Sequence, residues 1–195
     1  HSNLRRQRQM CIRDSNHRPR EIYRHEIGTP TSKDILIFRE ESEAFTVGIG
    51  LSSDEKYFFI TSSDHNTSEQ YYFKTDEITP KPKIIDKRKR GIIYSVNSWN
   101  GNFYKHTNED AEDFKIEKTN DLEKKEWETF IPAREEVLIG GLIFLNNWII
   151  RSETSNALSK LILRNPKNDE EEEIFFSDEK VIVPGVSLTL SLIHI

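Results

Sequence analysis

Apolar residues in this chain come in short bursts. Ile35–Phe38 and Tyr57–Ile60 are unbroken runs of four, and Glu21–Ile27 alternates apolar with polar positions. Turn formers separate the bursts: Gly28–Ser32, Ser52-Ser53-Asp54, Asn97–Gly101 and Asn146-Asn147. Runs of this length bounded by such residues predict strands joined as antiparallel hairpins. No long stretch repeats apolar residues at the helical period. Asp121–Trp127 carries a weak trace of it and is expected as a loop or a single turn.

The bursts repeat. Lys56–Ser63 (KYFFITSS) is matched by Asn102–Asn108 (NFYKHTN) and by Asn147–Glu153 (NWIIRSE), with the aromatic anchors Tyr57, Phe103 and Trp148 in one role. A second apolar strand follows each anchor: Tyr71-Tyr72-Phe73, Phe114-Lys115-Ile116 and Leu161-Ile162-Leu163 are expected to close their units. A period of about 40 to 50 residues filled with short strands is the pattern of β-propeller blades. Blades stack face to face, which explains why the middle strands read as continuous apolar runs. The expected fold is all-β: a partial β-propeller of about three four-stranded antiparallel blades. Asn16–Glu41 reads as two outer strands of a preceding blade. Thr46–Gly50, Tyr94–Asn97 and Gly140–Ile143 are expected as innermost strands lining a channel, with Gly48 and Gly50 letting backbone crowd it.

The two ends do not fit this pattern. Arg5–Ser15 (RRQRQMCIRDS) resembles the in-frame translation of a sequencing-library adapter, and Leu190–Ile195 (LSLIHI) resembles its reverse complement. Residues 1–15 are therefore expected to be a disordered artefact, 16–189 the propeller segment and 190–195 a second artefact. The competing reading of Arg5, Arg6, Arg8 and Arg13 as a basic nucleic-acid arm does not account for the matching far end. On this reading the natural amino terminus lies outside the chain, so a leader could have preceded it.

Charge and residue chemistry then narrow the function. The chain has 28 basic and 33 acidic residues, a net charge of -5. The excluded ends hold four arginines and one aspartate, so the remainder is more acidic still. An acidic body is a poor partner for nucleic acid. The one cysteine, Cys11, lies in the adapter-like end, leaving no disulfide, thiolate nucleophile or cysteine metal site. No apolar run has the length of a membrane span. His17, His25, His65 and His106 are scattered singly without metal-ligand spacing, and His106 is read as packing between blades. Glu40-Glu41, Asp110 with Glu112-Asp113, and Glu135-Glu136 are neighbours that point to opposite faces of a strand, so they are read as solvated charge and not as catalytic pairs. Asp169–Glu173 is read as an exposed turn. Lys81-Pro82-Lys83 and Asp86–Arg90 are read as a solvated link between blades. Asn66-Thr67-Ser68 fits the N-glycosylation pattern, which is too common to carry weight.

A resemblance runs through the same residues. His25–Thr29, Asp34–Glu41, Phe45–Ser52, Thr67–Glu69, Gly91–Val96, Phe103–Asn108, Ile131–Leu138 and Phe176–Glu179, in this order, resemble the propeller of the oligopeptidase B group in the prolyl oligopeptidase family of serine peptidases. The resemblance implies a seven-bladed propeller capping an α/β-hydrolase domain. It implies hydrolysis of short peptides, after arginine or lysine in this group, with the propeller gating access in the cytoplasm. Catalytic serine, aspartate and histidine would belong to the hydrolase domain, and no G-x-S-x-G elbow occurs here: Gly50-Leu51-Ser52 and Gly185-Val186-Ser187 each lack the second glycine. No catalytic, cofactor or metal residue is assigned to this chain. The expected partners are an oligopeptide substrate and the hydrolase domain in cis, with neither nucleic acid nor membrane. A noncatalytic propeller scaffold binding peptides or proteins is the alternative. A piece with open blade faces is expected to be poorly soluble alone.

Overall fold

The computed structural model describes residues 7–13 and 18–174, the side chains from 18 onward. Among these residues the only helical element is a 3-10 turn at Thr31–Lys33; the rest of the regular structure is β. The first sheet has three strands, β1 (Gln7–Arg13), β2 (Pro19–Glu26) and β3 (Ile35–Arg39). The second has four, β4 (Thr46–Leu51), β5 (Tyr57–Ser63), β6 (Ser68–Lys74) and β7 (Lys83–Ile84). The third comprises β8 (Tyr94–Trp99), β9 (Asn102–Thr107), β10 (Lys115–Thr119) and β11 (Glu128–Ile131). The fourth comprises β12 (Leu138–Phe144), β13 (Ile149–Ser155), β14 (Leu158–Arg164) and β15 (Glu171–Glu173). Each is an antiparallel meander in chain order.

The repeat lands in equivalent places. Tyr57 opens β5, Phe103 lies in β9 and Trp148 immediately precedes β13, each the second strand of its sheet. The strands expected to close each unit are instead third strands, β6, β10 and β14, and a fourth lies outside each. Two of these are very short, two residues in β7 and three glutamates in β15, while β11 carries Phe130 and the buried Ile131. An edge strand pairs on one side only and stays partly in water, so strands as short as β7 and β15 carry no apolar pattern to read. Lys83 is accordingly part of β7 and not of the link. The turn expected over Asn97–Gly101 is also narrower: β8 runs to Trp99, and Asn100-Gly101, both at positive φ, make the two-residue hairpin turn. Asp121–Trp127 is non-helical, with a turn inside it.

Three apolar cores hold the sheets together, one per junction. Ile22, Ile37, Val47, Ile60 and Phe73 join sheets one and two. Phe59, Ile85, Tyr94, Val96, Phe103 and Leu122 join two and three. Trp99, Tyr104, Ile116, Ile131, Ile139, Phe144 and Ile149 join three and four. The run Tyr57–Ile60 serves two cores at once: Phe58 packs towards sheet one and Phe59 towards sheet three. That double burial is why the run is apolar at every position. Ile35 and Leu36 do not follow this rule; each is 42% exposed. No core joins the first sheet to the fourth, so the described residues form an open, partial propeller.

One stretch departs from expectation. Gln7–Arg13, read from sequence as disordered, pairs along β2 from Gln7 opposite Glu26 to Arg13 opposite Pro19. The exposed edge of β2 offers unpaired backbone groups, which an extended chain of almost any sequence can satisfy. The other adapter-like positions (1–6, 14–15 and 190–195), His17, Gly185–Ser187 and Phe176–Glu179 lie outside the described residues.

Candidate functional site

The first strand of each four-stranded sheet, β4, β8 and β12, stands at one edge of its sheet, and these strands carry Thr46–Gly50, Tyr94–Asn97 and Gly140–Ile143. Each strand alternates. In β8, Tyr94 and Val96 pack towards sheet two, and Trp99 packs towards sheet four. In β4, Val47 and Ile49 face sheet one, so that Gly48 and Gly50 lie on the opposite face. Both glycines are exposed, and nothing lies within 4 Å of where their Cβ would stand.

Strand β12 is irregular. Its register against β13 shifts between Ile139 and Leu142, a bulge that takes in Gly140 and Gly141. Bulges bend a strand and re-aim its side chains, and here the consequence is a crevice of about 230 Å³ between β8 and β12. Its apolar walls are Tyr104, Leu142 and Phe144, with the backbone of β8 passing at Val96. Polar groups come from Ser95, Asn97 and His106. Below it the aromatic rings pack closely, Tyr104 with Phe144 at 5.0 Å and Trp99 stacked on Phe144 at 5.4 Å between centroids.

His106 packs between sheets as the sequence indicated. Its ring stacks on Phe114 at 4.5 Å, and Nε2–H donates to the backbone oxygen of Ile139 at 2.7 Å. This bond ties β9 to β12 and defines the tautomer, leaving Nδ1 as an acceptor. Burial lowers the pKa of His106, more than the bond to Ile139 raises it, so the ring is neutral at pH 7. Asn97 is held from the other side: its Oδ1 accepts from the Ser53 N–H at 2.9 Å and its Nδ2 donates to Ser53 Oγ at 2.9 Å.

A second polar constellation has no signal in the sequence. Glu40 and Glu69, 4% and 5% exposed, both receive Arg88 Nη2, at 2.7 and 2.9 Å. Ser62 Oγ donates to Glu40 at 2.5 Å, Tyr71 Oη to Glu69 at 2.7 Å, and the guanidinium lies 4.0 Å from the Phe45 ring centroid. Burial pushes both carboxyls up, but the hydrogen bonds and Arg88 outweigh it and hold them below the usual range. Two sequence readings are corrected here. Glu40 is not solvated charge, and the link that carries Arg88 is not a free solvated connection. Adjacent charges in sequence say nothing about what a neighbouring sheet places over them. Fourth-sheet charge clusters likewise: Arg151 bonds Glu153 at 2.6 Å and Glu171 at 2.7 Å, and Arg134 also pairs with Glu153. Glu171–Glu173 form the edge strand β15 and not a turn, with Glu171 and Glu172 exposed as expected.

The remaining predicted positions are peripheral. His25 Nδ1 lies 2.6 Å from Asp34 Oδ1 at the β2–β3 turn, and His65 is exposed in the β5–β6 turn. Glu41, Glu135 and Glu136 are exposed. Among the described residues no group of three or more His, Cys, Asp or Glu is placed to hold a metal. No helix there is long and apolar enough to cross a membrane.

The stacked meanders find their counterpart among known families. A family model described as the prolyl oligopeptidase N-terminal β-propeller domain matches residues 4–192. The chain belongs to this family. Among curated proteins it is 26% identical over 199 residues to protease 2 of Moraxella lacunata, covering 92% of this chain and 29% of that protein. It is 28% identical over 176 residues to dipeptidyl aminopeptidase BI of Pseudoxanthomonas mexicana, covering 86% and 23%. The chain therefore spans less than a third of these peptidases. Among solved structures, oligopeptidase B from Trypanosoma brucei with covalently bound antipain, in its closed form, superposes with a TM-score of 0.82 at 22% identity, covering 89% of this chain and 26% of that one. Prolyl oligopeptidase B from Galerina marginata, bound to a 35mer hydrolysis and macrocyclization substrate, gives 0.74 at 15% identity, covering 87% and 25%. These two likenesses speak for the fold.

Proposed function

We propose that this chain is part of the cap of a serine-type oligopeptidase of the oligopeptidase B kind, cutting short peptides after arginine or lysine in the cytoplasm. The observation that carries the reading is the match of the prolyl oligopeptidase propeller model to almost the whole chain. The chemistry belongs to a hydrolase domain joined in cis. There a serine Oγ, its proton taken by a histidine, attacks the peptide carbonyl, the amine leaves with that proton, and water releases the acyl group. The cap selects by size: stacked sheets admit an extended peptide along their inner strands and exclude a folded protein. No step of this scheme calls for nucleic acid, membrane or cofactor.

The propeller segment is proposed as residues 16–189, with 1–15 and 190–195 contributed by library adapters. Two experiments test the proposal. Sequencing the source DNA through both ends should continue the frame into further blades and a G-x-S-x-G elbow followed by aspartate and histidine. A frame that stops after a closed propeller would establish a noncatalytic scaffold instead. The parent protein should then cleave an Arg- or Lys-containing octapeptide and leave a folded protein carrying the same sequence intact. Equal cleavage of both overturns the gating reading, and cleavage of neither overturns the peptidase reading.

A further inference from the structure

We propose that the crevice between β8 and β12 is a side-chain pocket that holds one bulky apolar residue of an extended peptide lying along the inner wall, kept open by Gly141. The inference rests on the peptide-handling reading above and adds to it a second point of recognition, away from the scissile bond.

The two glycines of the β12 bulge have different reasons to be there. A Cβ on Gly140 would stand 2.0 Å from Ser152 Oγ and 3.1 Å from the Ser152 carbonyl oxygen, so a side chain there would crowd β13 and force Ser152 to shift. Gly141 has no such neighbour: nothing lies within 4 Å, and its φ is not positive. A glycine inside a strand costs about 0.5–1 kcal/mol relative to alanine. Neither a close neighbour nor a positive φ calls for a glycine at Gly141. Gly141 lines the crevice, and the space in front of its missing side chain is open. Gly48 and Gly50 on β4 repeat the observation, exposed and unobstructed on the inner strand of another sheet.

Size and chemistry select the occupant. At about 230 Å³ the crevice is smaller than the roughly 300–1,000 Å³ of pockets that enclose a whole small molecule. It suits one side chain. Tyr104 and Phe144 supply aromatic faces, Leu142 an aliphatic one, and no lining residue is charged at neutral pH. An arginine or lysine head would be desolvated there without a counter-ion, a large cost. An aromatic or large aliphatic side chain would replace water against apolar walls. The peptide's side chains alternate along an extended backbone, so every second one faces the wall. The glycines of β4 and β12 let that backbone approach closely.

The test uses the full-length parent and two families of peptides with one scissile bond, phenylalanine or serine being moved along the remote positions. At one position phenylalanine should lower KM about tenfold relative to serine, with kcat unchanged. Gly141→Val should abolish that preference, Gly141→Ala should weaken it, and a dipeptidyl amide too short to reach the crevice should be cleaved unchanged by all three. A wild type without the preference, or a folded Gly141→Val variant that retains it, overturns the proposal. Should Gly141→Val fail to fold, Ser95→Phe closes the same mouth from β8 and is read by the same two outcomes. A parent that cleaves no peptide at all overturns the peptidase reading instead.

Discussion

The seam around Arg88 and the seam between sheets three and four solve one problem with opposite chemistry. Around Arg88, two buried carboxylates from the link after β3 and from β6 converge on a single guanidinium, closed over by Ser62, Tyr71 and Phe45. Between sheets three and four, stacked rings of Trp99, Tyr104 and Phe144 do the joining and one histidine bond crosses the gap. The charged seam is directional and tightly satisfied. The aromatic seam is held by shape, and its β-bulge leaves a cavity. A repeat thus keeps the strand frame while leaving each junction free to be a lock or a pocket, because burial of backbone and apolar faces sets the frame and not the side-chain chemistry between frames.

The contrast can be broken at its strongest points first. Trp99→Ala should destabilise the parent by about 4 kcal/mol, since it removes a large ring from a core that cannot collapse around rigid strands. Arg88→Met should cost about 3 kcal/mol, because Glu40 and Glu69 are left buried without their cation. Adding Glu40→Gln to Arg88→Met should recover part of that loss, a rescue with no equivalent in the aromatic seam. Denaturant midpoints of the parent measure each, and an Arg88→Met variant as stable as wild type would remove the lock from the comparison.

The bulge gives a smaller and sharper contrast. Gly140→Ala should lose about 1–2 kcal/mol through overpacking against Ser152, whereas Gly141→Ala should be neutral or slightly stabilising. Equal effects at the two positions would exclude packing against β13 as the reason for Gly140.

Acid should separate the seams with the smallest effect of all. The folded pKa of His106 is lowered, so its contribution is complete above the unfolded value of about 6.5 and is lost as pH falls from there towards the folded value. Glu40 and Glu69 are also lowered, and their contribution is complete above about 4.3 and lost only below that. Between pH 6.5 and 5 the parent should therefore weaken at the aromatic seam alone. His106→Phe should flatten that limb of the stability profile; an unchanged slope would exclude His106 as its source.

Much of the fold was legible in the amino-acid sequence, and for identifiable reasons. Tyr57 and Phe103 repeat because each marks the second strand of a sheet covered on both faces, where the apolar signal is strongest; Trp148 keeps the same place before β13, though it is 38% exposed. The fourth strands β7 and β15 left no such trace because they are very short edge strands, partly in water. The inner strands of the candidate site were also legible, through turn residues and glycines. The crevice was not, since Gly140-Gly141 reads the same whether a strand is straight or bulged. Glu40 and Arg88 are 48 positions apart in the chain, and no local pattern links them.

Local sequence alone determined the strand periods, the hairpin turns and the blade repeat, because these depend on neighbours a few residues away. It also carried the family resemblance that the propeller model bears out. Only tertiary structure decided which charges are buried, which glycine is demanded by packing and where a cavity opens. Those depend on what a second sheet brings across a gap of several ångströms, and two sheets meet only after the chain has folded.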